Sequence, residues 1–203
     1  MNNNAMFKLG YGLYVLSANV NGYNNGCIVN TVIQVTTTPN RISVTVNKDN
    51  KTHDMIKDSG KFNVSVLSVN APFDLFKHFG FQSGKNVNKF ADYDKYEKSA
   101  NNIPYITEGC CAFLSATVYS CVDLGTHTMF IANVVDGEIL SDDEPVTYNY
   151  YHKNIKPKPQ AVEVKAESAY RCKICGYVHE GELPADFVCP LCKHGASDFE
   201  KIK

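Results

Sequence analysis

Residues 170–199 read YRCKICGYVHEGELPADFVCPLCKHGASDF and contain two Cys-x-x-Cys pairs. The two-residue spacing lets a tight turn present both sulfurs of a pair to one ion, and two such pairs make a tetrahedral four-sulfur site suited to iron or zinc. Gly176, directly after the first pair, can adopt positive φ without a Cβ penalty, and Pro190 fixes φ inside the second turn. The predicted metal ligands are Cys172, Cys175, Cys189 and Cys192.

Both metals fit these ligands, and the surrounding residues favour iron. A zinc ribbon would use the same sulfurs to hold the chain together without redox chemistry. Four aromatic residues supply an apolar shell of the kind that tunes a metal's reduction potential: Tyr170, Tyr177, Phe187 and Phe199. The motifs YxCxxCGY, DFVCPxC and SDFE resemble those of rubredoxin, which implies one iron ion held by four cysteines. The chain departs from that pattern at Lys193, where Gly is usual, and in a short spacer, 176–188.

The length of the chain, 203 residues, suits one domain of ordinary size and one small module. The metal module is too small to fold on core burial alone, so the ion must supply much of its stability. Residues 153–168 contain Pro157 and Pro159 among charged residues, which is typical of a linker. We predict a first domain at 1–152, a flexible linker at 153–168 and a metal-binding domain at 169–203.

The charge and hydropathy of the chain exclude several classes of protein. Its net charge is −1, so it lacks the basic field that nucleic-acid binding requires. No apolar run reaches the ~20 residues of a membrane span, and the residues MNNN lack the features of a signal peptide. We therefore expect a cytoplasmic protein that binds neither nucleic acid nor membrane. The remaining cysteines are expected to be buried reduced thiols: Cys27, Cys110, Cys111 and Cys121.

The first domain has the pattern of a mainly β protein. Asn21-Gly22 and Asn25-Gly26 both favour hairpin turns, and alternation of apolar and polar residues predicts half-buried strands. The strands are predicted at 13–16, 27–37, 41–46, 62–66, 112–122, 128–135 and 146–149, and short helices at 52–58 and 72–79, each stopped by a glycine. The polar residues 83–102 are predicted to form a long loop. Many short strands with few helices favour a closed barrel.

The order of five segments identifies a family. These segments are GCIVNTVIQVTTTP, VNKDNKT, GKFNVSVLS, FGFQSGKNVNKF and GTHTMFIANVV. Together they resemble the flavin reductase-like family, the FMN-binding split barrels, over residues 7–150. The resemblance implies a split β-barrel with short helices, bound FMN, and a homodimer whose subunits share the FMN sites.

A phosphate group needs backbone N–H groups, hydroxyls and cations, preferably near a helix N-terminus. Lys48 and Thr52 precede a predicted helix start, and Ser83 and Lys85 lie in a Gly-containing loop, so we predict these four at the FMN phosphate. Either lysine could instead be an ordinary solvated side chain.

The resemblance places the segment Asn30, Thr31 and Val32 against the flavin ring and ribityl chain. Polar side chains in this otherwise apolar strand would be unfavourable without partners. Thr36, Thr37 and Asn47 follow at strand ends and could extend the same hydrogen-bond set, although threonines also favour strands without any ligand.

His127 is the candidate catalytic residue. The segment Gly125-Thr126-His127 matches a Gly-Asp-His motif that lies beside the flavin and nicotinamide in the family, with Thr126 in place of Asp. The change removes a carboxylate that could orient the imidazole, and a strand histidine can simply be hydrogen-bonded to a neighbour. His53, His78 and His152 are expected at the surface.

A nicotinamide delivers two electrons as a hydride, a four-sulfur iron centre accepts one, and a flavin can do both. Resemblance to flavin reductase–rubredoxin fusions implies transfer from NAD(P)H through FMN to iron and then to a flavodiiron oxygen or nitric oxide reductase. Three alternatives remain open: an FMN/iron shuttle without its own nicotinamide site, a free-flavin reductase supplying a monooxygenase, and a zinc-stabilised interaction protein.

Overall fold

The computed structural model describes residue 5 and residues 8–157, 168–173, 176–189 and 195–203. The chain divides into two compact units, Met1–Ile155 and Lys156–Lys203. The predicted linker, 153–168, falls mostly on residues 158–167, which lie outside the described part of the chain. No helix in the described ranges is long and apolar enough to cross a membrane.

The first unit contains nine strands and two helices of more than one turn within its described residues. They are β1 (Tyr14–Val20), β2 (Tyr23–Val29), β3 (Ile33–Thr37), β4 (Asn40–Asn47), α1 (Lys51–Ser59), β5 (Lys61–Leu67), α2 (Phe73–Gly80), β6 (Tyr96–Lys98), β7 (Pro104–Ile106), β8 (Cys110–Asp123) and β9 (His127–Ile139). A helical turn at Tyr148–Tyr150 and a π-helical turn at Tyr151–Ile155 follow. The predicted mainly β class is confirmed.

Seven strands form one antiparallel sheet in the order β2-β1-β5-β8-β9-β4-β3. The β1–β2 turn is at Asn21-Gly22, where both residues have positive φ (51° and 85°), as a type I′ turn requires. This confirms one predicted turn. The second is wrong, because Asn25-Gly26 lies inside β2, where Asn25 pairs with Ala18.

The central strands are buried on both faces. Leu16 and Val15 point to opposite sides of β1, because side chains alternate along a strand, and both have zero exposure. On one side α1 packs into a cluster with Leu16, Val44, Val64 and Phe130. On the other side α2 packs into a second cluster with Val15. Gly60 ends α1 in the left-handed conformation (φ 66°), with its N–H donating to the Ile56 carbonyl at 2.9 Å.

The β6–β7 hairpin is attached to the sheet through a set of polar side chains that we call the polar seal. Its members are Ser17, Asn63, Ser65 and Ser115, none more than 1% exposed. The Asn63 side-chain amide donates to the Ile103 carbonyl at 2.8 Å, and the Ser65 hydroxyl accepts from the Ile106 N–H at 2.9 Å. Hydrogen bonds therefore satisfy polar groups that burial would otherwise make costly.

Three further expectations differ from the structure. Residues 30–32 interrupt the strand predicted at 27–37. Residues 146–149 form no regular strand, because Thr147 makes only an isolated bridge to Gly12 and then caps the helical turn. Cys121 is exposed, near the end of β8, whereas the other three non-ligand cysteines are buried as expected.

The second unit forms a three-stranded antiparallel sheet in the order β11-β10-β12, from β10 (Ala169–Cys172), β11 (Val178–Glu180) and β12 (Phe199–Lys201). A 3₁₀ turn at Ala196–Asp198 leads into β12. Gly176 has a φ of 83°, as predicted for the turn after the first cysteine pair, and its N–H donates to the Cys172 carbonyl at 2.9 Å.

Candidate functional site

The end of β4 and the start of β9 bring three predicted site residues together. Asn47 lies opposite His127, and the Lys48 N–H donates to the Thr126 carbonyl at 3.0 Å. The Lys48 ammonium donates to both carboxylate oxygens of Asp123, at 2.7 and 2.8 Å. These hydrogen bonds hold the pKa of Asp123 below its ordinary value. The Lys48 ammonium is therefore held in place at the end of β4.

The N-terminus of α1 begins three residues after Lys48. Its N-cap residue, Asn50, makes no side-chain capping bond, so the positive end of the helix lacks the usual capping acceptor. Thr52, predicted at the phosphate, is 1% exposed, so its side chain is buried. Lys48 and the start of α1 offer a cation and backbone N–H groups close together, which is what an anionic group needs.

His53 is buried, which corrects the expectation that it lies at the surface. It is 4% exposed, and its Nδ1 and Nε2 lie 2.9 Å from Asp54 Oδ1 and Thr128 Oγ1 respectively. The ring thus connects the first turn of α1 to β9 at the residue after His127. His78 is half-buried and stacks on Tyr93, whereas His152 is exposed as expected.

His127 is half-buried and lies beside the residue that replaces the family's Asp. Its Nδ1 is 2.8 Å from the Thr126 hydroxyl. A hydroxyl can orient an imidazole as donor or acceptor, without the charge of a carboxylate. The Thr126 substitution therefore keeps a hydrogen bond to the ring.

The segment 30–32 leaves the sheet between β2 and β3. The Thr31 hydroxyl donates to the Thr45 carbonyl at 2.7 Å and accepts from the Thr45 N–H at 3.1 Å. This side chain replaces a backbone partner for β4, so its polar atom is satisfied within the protein. Asn30 is half-buried.

Val32 lines a groove of about 530 Å³, within the size range of small-molecule sites. Its other walls include Tyr14, Ile42, Leu114 and Val134. Thr36 and Thr37 are exposed beside the turn into β4, and Thr37 pairs with Asn40. Because β4 has eight residues, Asn40–Asn47, seven steps of about 3.3 Å place these threonines about 23 Å along the strand from Asn47. The structure therefore does not bring them to Asn47 and Lys48.

Ser83 and Lys85 are exposed in a loop that two buried polar side chains attach to β2. Asn25 donates from Nδ2 to the Gly84 carbonyl at 3.1 Å. Lys89, only 3% exposed, donates from Nζ to the carbonyls of Gly26 at 2.9 Å and Phe79 at 2.7 Å. Burial lowers the pKa of Lys89 to about 8. Sequence reasoning missed Lys89, because it lies in a polar stretch that predicts exposure.

The loop and the start of α1 contact the same short part of β2. Asn25 and Gly26 hold the loop, and the next residue, Cys27, lies in one core cluster with Met55 and Ile56 of α1. The candidate phosphate residues on α1 and on the loop are thus joined through β2, although they are about thirty residues apart in the chain.

The structure describes two of the four predicted metal ligands. Cys172 and Cys189 are buried, with exposures of 1% and 0%. Phe187 packs edge-on against Phe199, with ring centroids 5.3 Å apart, so an aromatic shell lies in this unit. The other half of the centre lies outside the described residues: Cys175, Pro190, Cys192 and Lys193.

In comparison with known proteins, each unit matches a different protein-family model. A model described as "Flavin reductase like domain" matches residues 6–158, and one described as "Rubrerythrin, rubredoxin-like domain" matches residues 170–200. A protein of Moorella thermoacetica named high molecular weight rubredoxin is 35% identical over an alignment of 230 positions that covers all of both chains. A ferric-chelate reductase (NAD(P)H) of Archaeoglobus fulgidus is 40% identical over 165 residues, 81% of this chain and 97% of that protein.

Solved structures share the fold of the first unit. The NADH:FAD oxidoreductase SgcE6 of Streptomyces globisporus superposes with a TM-score of 0.63 at 22% identity, covering 71% of this chain and 84% of that one. An FMN-binding protein from Thermus thermophilus superposes with a TM-score of 0.60 at 20% identity, covering 66% and 72%. The split-barrel fold predicted from the sequence is confirmed.

Proposed function

The chain belongs to the flavin reductase-like family and ends in a rubredoxin-like domain, and from this we propose that it transfers electrons from NAD(P)H through bound FMN to an iron ion held by its four cysteines. It is an oxidoreductase of the NAD(P)H-dependent kind, in keeping with the ferric-chelate reductase (NAD(P)H) to which it is similar. The proposed iron ligands are Cys172, Cys175, Cys189 and Cys192.

One observation carries this proposal: both modules occur in a single chain, and a relative named as a rubredoxin matches that chain over its whole length. When bound, a flavin accepts a hydride and releases electrons singly, and a four-sulfur iron centre accepts one electron at a time. A tether between the modules raises their mutual concentration to about the millimolar range, so transfer needs no tight docking face.

Lys48 and the start of α1 would hold the flavin phosphate. Support comes from the uncapped N-terminus of α1 and from the ammonium beside it, which Asp123 keeps in place. Ser83 and Lys85 would reach the same phosphate from the loop joined to α1 through β2. We propose FMN rather than FAD because these groups suit one terminal phosphate monoester, which carries more charge than the diester links of a dinucleotide.

His127 would contact the nicotinamide. His127 lies opposite Asn47, the residue before Lys48, and the Thr126 hydroxyl restricts the orientation of its ring. Replacing His127 by Ala should therefore raise the KM for NADH more than it changes the affinity for FMN. Equal losses in both would remove His127 from a specific role in nicotinamide binding.

The apolar surface around the groove supports a homodimer. Ile33 on edge strand β3 is 62% exposed, and Ile139 at the end of β9 is 77% exposed. Ile33 lines the groove, and Ile139 lines an adjoining cavity of about 370 Å³. Leu114 and Val134 line both the groove and this cavity. Exposed apolar patches of this kind mark interaction sites. In light scattering Ile33→Asp should yield monomer, whereas Tyr23→Asp on the opposite edge strand should not.

The external acceptor is proposed to be a redox flavoprotein, specifically a flavodiiron oxygen or nitric oxide reductase. The rubredoxin-like module supports this proposal, because a one-electron carrier needs an acceptor that takes electrons singly. Oxidation of the reduced chain by such an enzyme, measured anaerobically with oxygen or nitric oxide added, tests the pairing.

Anaerobic addition of NADH or NADPH to the iron-loaded protein tests the whole pathway. Flavin absorbance should bleach first and the ferric bands second, because iron receives electrons only after the flavin. In Cys189→Ser the flavin should still bleach, at an unchanged rate. Bleaching of the flavin with persistent ferric colour would refute internal transfer, and a protein whose only bound metal is zinc would refute the iron centre.

A further inference from the structure

The loop that carries Ser83 and Lys85 is fixed to β2 at two points, both buried. At one point the Asn25 side chain, with zero exposure, donates to the Gly84 carbonyl and accepts from the Gly26 N–H at 2.7 Å. Gly84 approaches so closely that a Cβ atom there would lie 2.2 Å from Asn25 Nδ2. The loop therefore has little freedom to shift at this point.

The second point is the Lys89 ammonium, which joins three segments. Lys89 belongs to the loop, Gly26 to β2, and Phe79 to the last turn of α2. The carbonyl end of a helix favours a cation, which offsets part of the cost of burying the charge. Aliphatic side chains could fill the same space, but they could not bond both carbonyls, so the ammonium specifies where the loop lies relative to β2 and α2.

We propose that Lys89 and Asn25 are positioning residues that fix Ser83 and Lys85 at the phosphate end of the flavin, so that the loop selects flavins that carry a phosphate group. The proposal rests on the flavin site proposed above and deepens it. Asn25 and Lys89 hold the loop directly, and Cys27, next to Gly26, lies in one core cluster with Met55 and Ile56 of α1. The loop and α1 are thus both attached to the same part of β2, and the start of α1 would bind the same phosphate.

The test compares FMN with riboflavin, which has the same ring and ribityl chain but no phosphate. Dissociation constants for both are measured by fluorescence quenching on the unmodified protein, on Lys89→Met, and on the control Lys95→Met. Lys95 lies in the same polar stretch, but its side chain is 53% exposed. Lys89→Met should weaken FMN binding about tenfold, the effect of losing about 1.4 kcal/mol, and change riboflavin binding less than about twofold. Lys95→Met should change neither constant.

Gly84→Ala provides a second perturbation without a change of charge, and it decides the matter if Lys89→Met does not fold. The added Cβ would push the loop from Asn25, so FMN binding should again weaken selectively. If FMN binding and riboflavin binding weakened equally, Lys89 and Asn25 would have only a structural role, and the proposal would be overturned. Unchanged FMN affinity would overturn it too. If the unmodified protein bound neither compound, the proposed flavin function would fail together with this inference. If the unmodified protein binds FMN and oxidises NADH normally but neither variant loses FMN binding selectively, this inference alone is overturned.

Discussion

The buried ammonium of Lys89 should give the first unit a measurable dependence of stability on pH. Burial lowers its pKa from the ordinary 10.5 to about 8. Between these values the unfolded chain holds a proton that the folded chain has released, so raising the pH in this window favours the folded state. The neutral amine still has two N–H donors, enough for the carbonyls of Gly26 and Phe79.

The size of the effect follows from the two pKa values, which differ by about 2.5. At about 1.4 kcal/mol for each pH unit, deprotonation of Lys89 contributes at most about 3 kcal/mol to the free energy of unfolding. About 2.5 kcal/mol of this is gained between pH 7 and pH 10. In Lys89→Met this gain is absent. The difference in free energy of unfolding between the unmodified protein and the variant should therefore rise by about 2.5 kcal/mol from pH 7 to pH 10.

Urea unfolding of the flavin-free chain, followed by far-ultraviolet circular dichroism at pH 7 and pH 10, measures the difference. Buried groups such as Cys110, whose pKa is raised by burial to about 12, titrate in both proteins, and their contribution cancels when the two curves are subtracted. The Cys27 thiol interacts with Lys89, so every protein compared carries Cys27→Ala. Lys95→Met is the matched control and should run parallel to the unmodified protein. A difference between unmodified protein and Lys89→Met that stays constant or shrinks from pH 7 to pH 10 would refute the reasoning.

Three other changes have defined outcomes. Gly60→Ala places a Cβ at φ 66° and should lower the free energy of unfolding by about 1 kcal/mol; no loss in urea titration would contradict this. Phe130→Ala, at a residue 1% exposed, should cost about 3–5 kcal/mol, and a loss below 1 kcal/mol would show that the core relaxes around it. Lys48→Ala should leave the urea midpoint nearly unchanged, since its ion pair is at the surface, but should weaken FMN binding; equal affinity would exclude Lys48 from the phosphate site.

Local signals were sufficient for the parts of the fold that depend on neighbouring residues. Asn21-Gly22 supplies positive φ at both turn positions, and Gly60 supplies it at the end of α1, so both features could be predicted. The same dipeptide at Asn25-Gly26 failed as a turn signal. Once the chain turns at Asn21-Gly22, residue 25 falls opposite Ala18 in the hairpin, and register overrides local preference.

Burial of polar side chains could not be predicted, because their partners are distant in sequence. His53 bonds Thr128, 75 residues away, and Lys89 bonds Gly26, 63 residues away. Within their own segments both residues have the polar neighbours of an exposed side chain. Residues 146–149 illustrate the same limit for secondary structure: Val146 is buried by packing, which apolar alternation cannot distinguish from pairing in a sheet.

The candidate site was predicted in part. The sequence placed Lys48 beside a helix start, and the structure has that arrangement with Asp123 added. Sequence order alone suggested that Thr36 and Thr37 would join Asn47, but the length of β4 separates them. The roles of the predicted flavin and metal residues remain predictions, with the experiments above as their tests.

The polar seal beneath the β6–β7 hairpin affects how the protein behaves when heated. If the hairpin lifts from the sheet, Ser17, Asn63, Ser65 and Ser115 lose their partners on it. At the same time Ile106 leaves an apolar cluster that includes Val15, and Tyr105 leaves the ring of Phe113. Water can hydrate the polar groups, but exposed apolar surface favours association between molecules. Partial opening at this position should therefore be sufficient for aggregation on heating, before the interior around Phe130 unfolds.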